Sequence, residues 1–300
     1  MKQLVILSGK GGTGKTSVGA ALAHLASREL PIVLADADVD AANLELVLQP
    51  TRVAEHAFMG GQVASVDAGR CTLCGRCYEV CRFRAIIPGD GSQAYRVDPL
   101  ACEGCSSCVH QCPEQAIHSQ EQQAGLWFRS DTRFGPLFHA HLFAGRENSG
   151  KLVTMVKQQG RLLALDEGRD LLIVDGPPGI GCPVISASAG ADLALLVAEP
   201  TVSGIHDLER ILATVNHFRV PALVCINKAD LNPAHTEAIV AFCTSHGIQV
   251  APWLPYDTSV TVAMVQGQPV TAYEPQGRMS AALHDLWAQV RHSLEVGGFA

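Results

Sequence analysis

The chain has 300 residues, 47% hydrophobic and 17% charged, enough for one sizeable α/β core beside a small second module and too apolar for disorder. A net charge of -7 leaves no overall positive field for a nucleic-acid backbone, and no local basic patch stands out. No run approaches the roughly 20 apolar residues of a membrane-spanning helix, so neither nucleic acid nor membrane is expected as a partner.

In chain order, MKQLVILSGKGG runs from a predicted strand, Leu4 to Ser8, straight into a glycine loop, with no basic or cleavable leader. Cytoplasmic residence is therefore expected. Gly9 to Thr16 reads GKGGTGKT, a P-loop between a strand and a helix. Gly11, Gly12 and Gly14 let successive backbone N–H groups converge on phosphate oxygens, and the helix from Lys15 adds its positive end. Thr13 and Ser17 complete the predicted cradle. Lys15 is expected on the β and γ phosphates and Thr16 on Mg²⁺. A second strand, Pro31 to Asp36, leads into DADVDAANL, which places Asp36, Asp38 and Asp40 at its carboxyl end.

From about Gly60 to Gln123 the strand–helix rhythm gives way to a repeat. Cys71, Cys74, Cys77 and Cys81 recur as Cys102, Cys105, Cys108 and Cys112, and Ala85-Ile86 recurs as Ala116-Ile117, always 31 residues on. Such constancy marks a duplicated unit. Residues 61–123 read as an insertion, with 1–60 and 124–300 forming one α/β domain. The rhythm resumes with a helix from Leu152 to Leu165 and with strands at Leu171 to Asp175, Leu193 to Glu199, Ala222 to Asn227 and Gln249 to Leu254. A surface helix follows from Arg278 to Leu294. Near-continuous apolar strands separated by helices predict a parallel sheet buried on both faces, with the ligand site at the strands' carboxyl ends.

KGGTGKT, with its extra Lys10, resembles the deviant Walker A of the MinD, ParA and nitrogenase iron protein superfamily. That resemblance implies an ATP-dependent homodimer in which Lys10 reaches the partner's nucleotide. DADVDAANL is similar to the family's first switch, which makes Asp38 the residue that positions the attacking water and Asp36 its companion; Asp40 has no assigned role. LLIVDGPPGIG is similar to the family's Walker B and second switch, which puts Asp175 on Mg²⁺ and leaves Gly179 free to sense the γ-phosphate. Asn227-Lys228-Ala229-Asp230 also spells the guanine-reading NKxD of GTPases. The family instead sets an asparagine against adenine and follows it with a loop like Pro255-Tyr256-Asp257, so Asn227, Pro255 and Asp257 are expected on the base. The resemblance favours ATP over GTP.

Eleven cysteines without a secretion signal argue for metal ligation before disulfides. CTLCGRCYEVC and CEGCSSCVHQCP resemble two-cluster bacterial ferredoxins, in which the fourth cysteine crosses to the other cluster. One [4Fe-4S] cluster is then expected on Cys71, Cys74, Cys77 and Cys112, and a second on Cys102, Cys105, Cys108 and Cys81. Zinc, whose ligands come as CxxC pairs, fits the spacing less well. Arg82 stands where the first motif would carry the proline matched by Pro113, either tuning the second cluster or lying on the surface. Cys225 and Cys243 read as inert core thiols, and Cys182 as a lone thiol in the second switch. A bridging-cluster partner for it is unmatched in RENSGKLV, Arg146 to Val153, where Glu147 and Asn148 stand in that neighbourhood and Ser149 reads as an N-cap. His139 and His141 share one face of a strand but lack further ligands in the sequence.

The expected fold is an α/β, parallel-sheet, MinD-like P-loop domain with an inserted α+β ferredoxin-like domain. The expected function is ATP binding and hydrolysis by a dimer that gates electron transfer from two [4Fe-4S] clusters to a redox acceptor. The alternatives are a carrier ATPase that delivers clusters or metal to a metallocofactor protein, and a MinD- or ParA-like positioning ATPase.

Overall fold

The computed structural model describes residues 1–91, 93–145 and 149–296. Its strands are β1 (Lys2–Ser8), β2 (Ile32–Asp36), β3 (Thr51–Val66), β4 (Ile86–Ile87), β5 (Arg96–Val97), β6 (Ile117–Thr132), β7 (Gly135–Leu142), β8 (Leu171–Pro178), β9 (Leu193–Ala198), β10 (Ala222–Ile226) and β11 (Gln249–Val250). Its helices are α1 (Lys15–Ser27), α2 (Leu44–Leu48), α3 (Arg76–Val80), α4 (Ser107–Gln111), α5 (Ser149–Asp166), α6 (Cys182–Ser188), α7 (Gly204–His217), α8 (Pro233–Ser245), α9 (Ser259–Val265), α10 (Val270–Tyr273) and α11 (Arg278–Val296).

Two compact units emerge. Met1–His56, Trp127–His141 and the described chain from Ser149 to Val296 form one; Ala57–Leu126 with the short segment starting at Leu142 forms the other. The second unit is a few residues wider at each end than the expected 61–123.

In the first unit the six strands expected from sequence run in the order β11-β10-β9-β1-β8-β2, all parallel. The sheet continues into β7, parallel to β2, and then into the stretches of β6 and β3 that belong to this unit, Trp127 to Thr132 and Thr51 to His56. Both faces of the central strands are buried. Leu4, Ile6, Leu34, Ile173 and Leu195 share a core with α1 and α11, while Gly160 of α5 lies against Val33 and Leu172 on the other face. Continuous apolar strands have this consequence, since neither face meets water. β11 is only two residues long, shorter than the run expected from Gln249 to Leu254.

The second unit carries its repeat in the backbone as well. α3 and α4 begin 31 residues apart, at Arg76 and Ser107, and pack on one another. The left-handed positions follow the same offset, Leu73 with Gly104, Gly75 with Ser106, and Arg84 with Gln115. Conformations so rarely adopted by side-chain-bearing residues, repeated in register, belong to one turn used twice. Its core joins Ala64, Ile86 and Ile117 to the buried Cys77 and Cys108.

Candidate functional site

The glycine loop connects β1 to α1 and borders a cavity of about 750 Å³, lined by Gly11, Gly12, Thr13, Gly14, Lys15, Thr16 and Ser17. Gly12 and Gly14 take φ of 81° and 88°, left-handed positions that a loop whose N–H groups converge requires of glycine. Opposite lie Asp38 and Asp40 from the β2 end, Pro177 and Pro178 from the β8 end, and Asn227, Pro255, Tyr256 and Asp257. The residues expected on phosphate and base, with Thr16 of the magnesium pair, thus line one cavity, and Asp175 joins them through its bonds from Lys15 and Thr16. It sits at the strands' carboxyl ends, where α/β sheets bind ligands.

The charged centre is largely buried. Lys15, 6% exposed, donates to Asp175 Oδ1 at 2.7 Å, and Thr16 Oγ1 donates to Asp175 Oδ2 at 2.7 Å. Asp38 approaches the same ammonium at 3.9 Å. Burial works against the Lys15 charge, but Asp175, Asp36 and Asp38 together hold its pKa above the ordinary lysine value. Burial pushes Asp38 up to about 6, with the Lys15 charge opposing and Asp175 and Asp40 adding to the rise. Asp36, fully buried, is raised to about 8 by burial and by Asp175; it accepts N–H bonds from Leu44 at 2.9 Å and Asp38 at 3.1 Å. Its role here is to pin the segment between β2 and α2 that presents Asp38.

Asn227 is 5% exposed; its amide donates to Thr13 O at 2.7 Å and its carbonyl accepts from Lys228 N–H at 3.0 Å. Asp230, the last residue of NKxD, is committed elsewhere. Its Oδ1 accepts from Tyr256 N–H at 2.6 Å, and its Oδ2 pairs with Arg278 at 3.3 Å. Asp257 accepts from Ser259 N–H at 2.9 Å, and hydrogen bonds from Ser259 hold its carboxyl below the usual range. Lys10 is engaged outside this cavity, donating to Thr201 Oγ1 at 2.9 Å and lying 3.6 Å from Glu199.

Several site residues escaped sequence reasoning. Lys228 donates to Gly12 O at 3.3 Å and pairs with Glu199, bracing the loop from below. Met264 accepts from Ser17 Oγ at 3.1 Å and lines the cavity with Val260. Glu45 stands beside His139 and His141, the strand pair for which the sequence offered no third ligand. The charged Lys228 next to Asn227 was visible, but its partner Glu199 lies a strand away.

In the second unit the thiols divide between two small cavities. Cys81, Cys102, Cys105 and Cys108 line one; Cys71, Cys74, Cys77 and Cys112 line the other. Each set takes three cysteines from one motif and the fourth from its repeat. Ala85 N–H donates to Cys81 Sγ at 3.3 Å and Ala116 N–H to Cys112 Sγ at 3.3 Å, the amide-to-sulfur bonds that stabilise a ligating thiolate. The donor set therefore fits two four-thiolate clusters. The eleven cysteines are all free thiols. Cys225 and Cys243 are buried, with pKa pushed up by burial to about 12 and about 11, as inert core thiols should be. Cys182 opens α6 and is exposed. Ser149, read as an N-cap, is the first helical residue of α5. Arg146, Glu147 and Asn148 lie outside the described residues.

This strand–loop–helix cradle with its carboxylate-held lysine defines a P-loop nucleotide-binding protein. The chain belongs to the CobQ/CobB/MinD/ParA nucleotide-binding domain family, whose model matches residues 4–270. Among curated relatives, an uncharacterized protein of Methanocaldococcus jannaschii is 36% identical over 230 residues, spanning 77% of this chain and 79% of that protein. The septum site-determining protein MinD of Bacillus subtilis is 25% identical over 293 residues, spanning 94% of this chain and 86% of its own. The septum site-determining protein MinD of Pyrococcus horikoshii, solved in complex with Mg-ADP, superposes with a TM-score of 0.59 at 17% identity, covering 100% of this chain and 99% of that one. No helix among the described residues is long and apolar enough to cross a membrane.

Proposed function

We propose that this chain is an ATP-dependent iron–sulfur protein, in which ATP binding and hydrolysis by a homodimer gate electron delivery from two [4Fe-4S] clusters to a redox partner. The observation that carries this reading is the coexistence in one chain of a Lys15–Asp175–Thr16 constellation and eight thiols divided four and four between two cavities.

Thr16 and Asp175 would supply oxygen donors for Mg²⁺, and Lys15, now bonded to Asp175, would be the cation for the phosphate oxygens. Asp38 orients water, a task that needs its carboxylate ionised. Both Asp230 oxygens already have partners, Tyr256 N–H and Arg278, which draws the carboxylate toward bracing the loop and supports adenine over guanine. The Mg-ADP named for the Pyrococcus horikoshii relative supports the same choice of ligand class. The dimer rests on family membership, with Lys10 as the residue that would cross the interface. Cys71, Cys74, Cys77 and Cys112 would hold one cluster, and Cys102, Cys105, Cys108 and Cys81 the other. Such clusters supply one-electron chemistry when bound.

A positioning role, as named for the Bacillus subtilis relative, is the second reading. The two are separated by electron paramagnetic resonance of the anaerobically purified, dithionite-reduced chain with and without Mg-ATP. Cluster signals that shift with Mg-ATP support gating. A chain free of iron that pellets with liposomes only when ATP is present supports positioning.

A further inference from the structure

One cluster of metal-binding side chains lies outside both sites already described. Glu45 opens the first turn of α2, while His139 and His141 stand two residues apart on β7 and so share a face. β7 lies beside β2, whose carboxyl end leads toward α2, and this adjacency brings the three residues together. Glu45 Oε2 lies 3.1 Å from His139 Nδ1, and Glu45 Oε1 lies 3.4 Å from His141 Nε2. One ligand atom from each residue falls within 4.8 Å of every other.

The inner histidine is 1% exposed, and its Nδ1 has no hydrogen-bond partner despite the carboxylate in front of it. Its other nitrogen, Nε2, lies 2.9 Å from Ser130 Oγ, itself 1% exposed. If Nε2 carries the proton, the Nδ1 lone pair faces carboxylate oxygens, which repels. If Nδ1 carries it, a buried donor stands without a hydrogen bond, costing about 1–3 kcal/mol. A cation between the three side chains removes both penalties. The spacing suits one: ligands about 2.1 Å from a tetrahedral ion lie about 3.4 Å apart. The Ser130 contact is the outer hydrogen bond that orients a metal-bound imidazole.

Two imidazoles select against Mg²⁺ and Ca²⁺, which take oxygen ligands. His141 is partly exposed, its side chain at 42%, and Glu45 partly buried, which leaves a path for entry and a position for water. Arg52, 4.0 Å above the Phe128 ring, is the nearby positive charge, and its pairing with Glu55 at 2.9 Å offsets it. Phe128 in turn packs against both histidines, walling one side of the cluster.

We propose that Glu45, His139 and His141 form a binding site for a divalent first-row transition-metal ion of the Zn²⁺, Co²⁺ or Fe²⁺ class, separate from the Mg²⁺ and thiolate sites. The site ties α2 to β7 immediately after the segment that Asp36 pins through Leu44 N–H. It does not depend on the redox reading above.

The test uses the full chain, purified anaerobically and washed with chelator, titrated with Zn²⁺ and, in parallel, loaded with Co²⁺ for X-ray absorption at the cobalt edge. Wild type is compared with Glu45→Gln and His141→Ala, both partly exposed positions, with circular dichroism confirming that each variant is folded. Wild type binds one more ion per chain than either variant, or binds it at least tenfold more tightly, and cobalt shows a nitrogen and oxygen shell. The cysteines are intact in all three proteins, so thiol binding is common to them. Equal stoichiometry and affinity in the three proteins, or a cobalt shell of sulfur alone, overturns the proposal.

Discussion

The three interior loop glycines, Gly11, Gly12 and Gly14, should differ in what a methyl group costs them, and the order is set by geometry alone. At Gly11 an added Cβ meets nothing within 4 Å, and the backbone is outside the left-handed region. At Gly12 the space is also open, but φ is 81°, which costs alanine about 1–2 kcal/mol. At Gly14, with φ of 88°, the new Cβ would also stand 2.3 Å from Asn227 Nδ2. The amide must move, breaking its 2.7 Å bond to Thr13 O and leaving buried polar groups unsatisfied for a further 1–3 kcal/mol or so. Gly14→Ala should therefore cost about 2–5 kcal/mol, a large share of an ordinary domain's stability, while Gly12→Ala costs about 1–2 and Gly11→Ala next to nothing. The assay is urea unfolding of nucleotide-free protein followed by circular dichroism, comparing midpoints at unchanged slope. Asn227→Ala in the Gly14→Ala background relieves the clash, so the double variant should be less destabilised than the two single costs predict together. Gly11→Ala should still weaken nucleotide binding at least tenfold, because its methyl enters the phosphate space. A Gly14→Ala variant as stable as Gly11→Ala would refute the reasoning.

Other expectations follow from single residues. Lys157 of α5 donates its ammonium protons to Ser186 O, to Ala187 O at 3.3 Å and to Ala189 O at 2.6 Å, closing the end of α6. Lys157→Met should cost about 2–4 kcal/mol in unfolding, since three carbonyls lose a charged donor at once. Asp38 has a folded pKa raised from 3.8 to about 6, so its ionisation opposes folding: stability is undiminished below pH 4 and is lost as pH rises through about 6. Asp38→Asn should thus exceed wild type by up to about 3 kcal/mol at pH 7 and match it near pH 3, while abolishing hydrolysis. Equal stability at pH 7 counts against that account. Cys112→Ser should remove about half of the bound iron, leaving the set built on Cys81; an unchanged iron content would contradict ligation by Cys112.

What the sequence disclosed and what it hid have physical reasons. β1, β2, β8, β9 and β10 are legible because strands buried on both faces must be apolar throughout. β3 and β6 are not, since TRVAEHAFMGGQVASV and IHSQEQQAGLWFRSDT mix charge, glycine and amide with apolar residues, and most of their positions meet water. The repeat was legible to the residue, down to the buried pairs Cys77 with Cys108 and Ile86 with Ile117. Asp230 shows the converse. Its motif is unambiguous as text, but whether its carboxylate faces a base or braces a loop depends on Tyr256 and Arg278, far along the chain. The Glu45, His139 and His141 grouping was hidden for the same reason: one ligand comes from α2 and two from β7, and only the order of strands in the sheet joins them.

The central claim, that a nucleotide switch and two thiolate-held clusters work within one chain, is tested most directly by resonance spectroscopy on quantified iron. The anaerobically purified protein should contain about eight iron atoms and eight acid-labile sulfides per chain. Its dithionite-reduced spectrum should change in line shape or midpoint potential when Mg-ATP is added, and should not change for Lys15→Ala. Iron well below four atoms per chain in reconstituted protein, or a spectrum and potential indifferent to Mg-ATP, would contradict it.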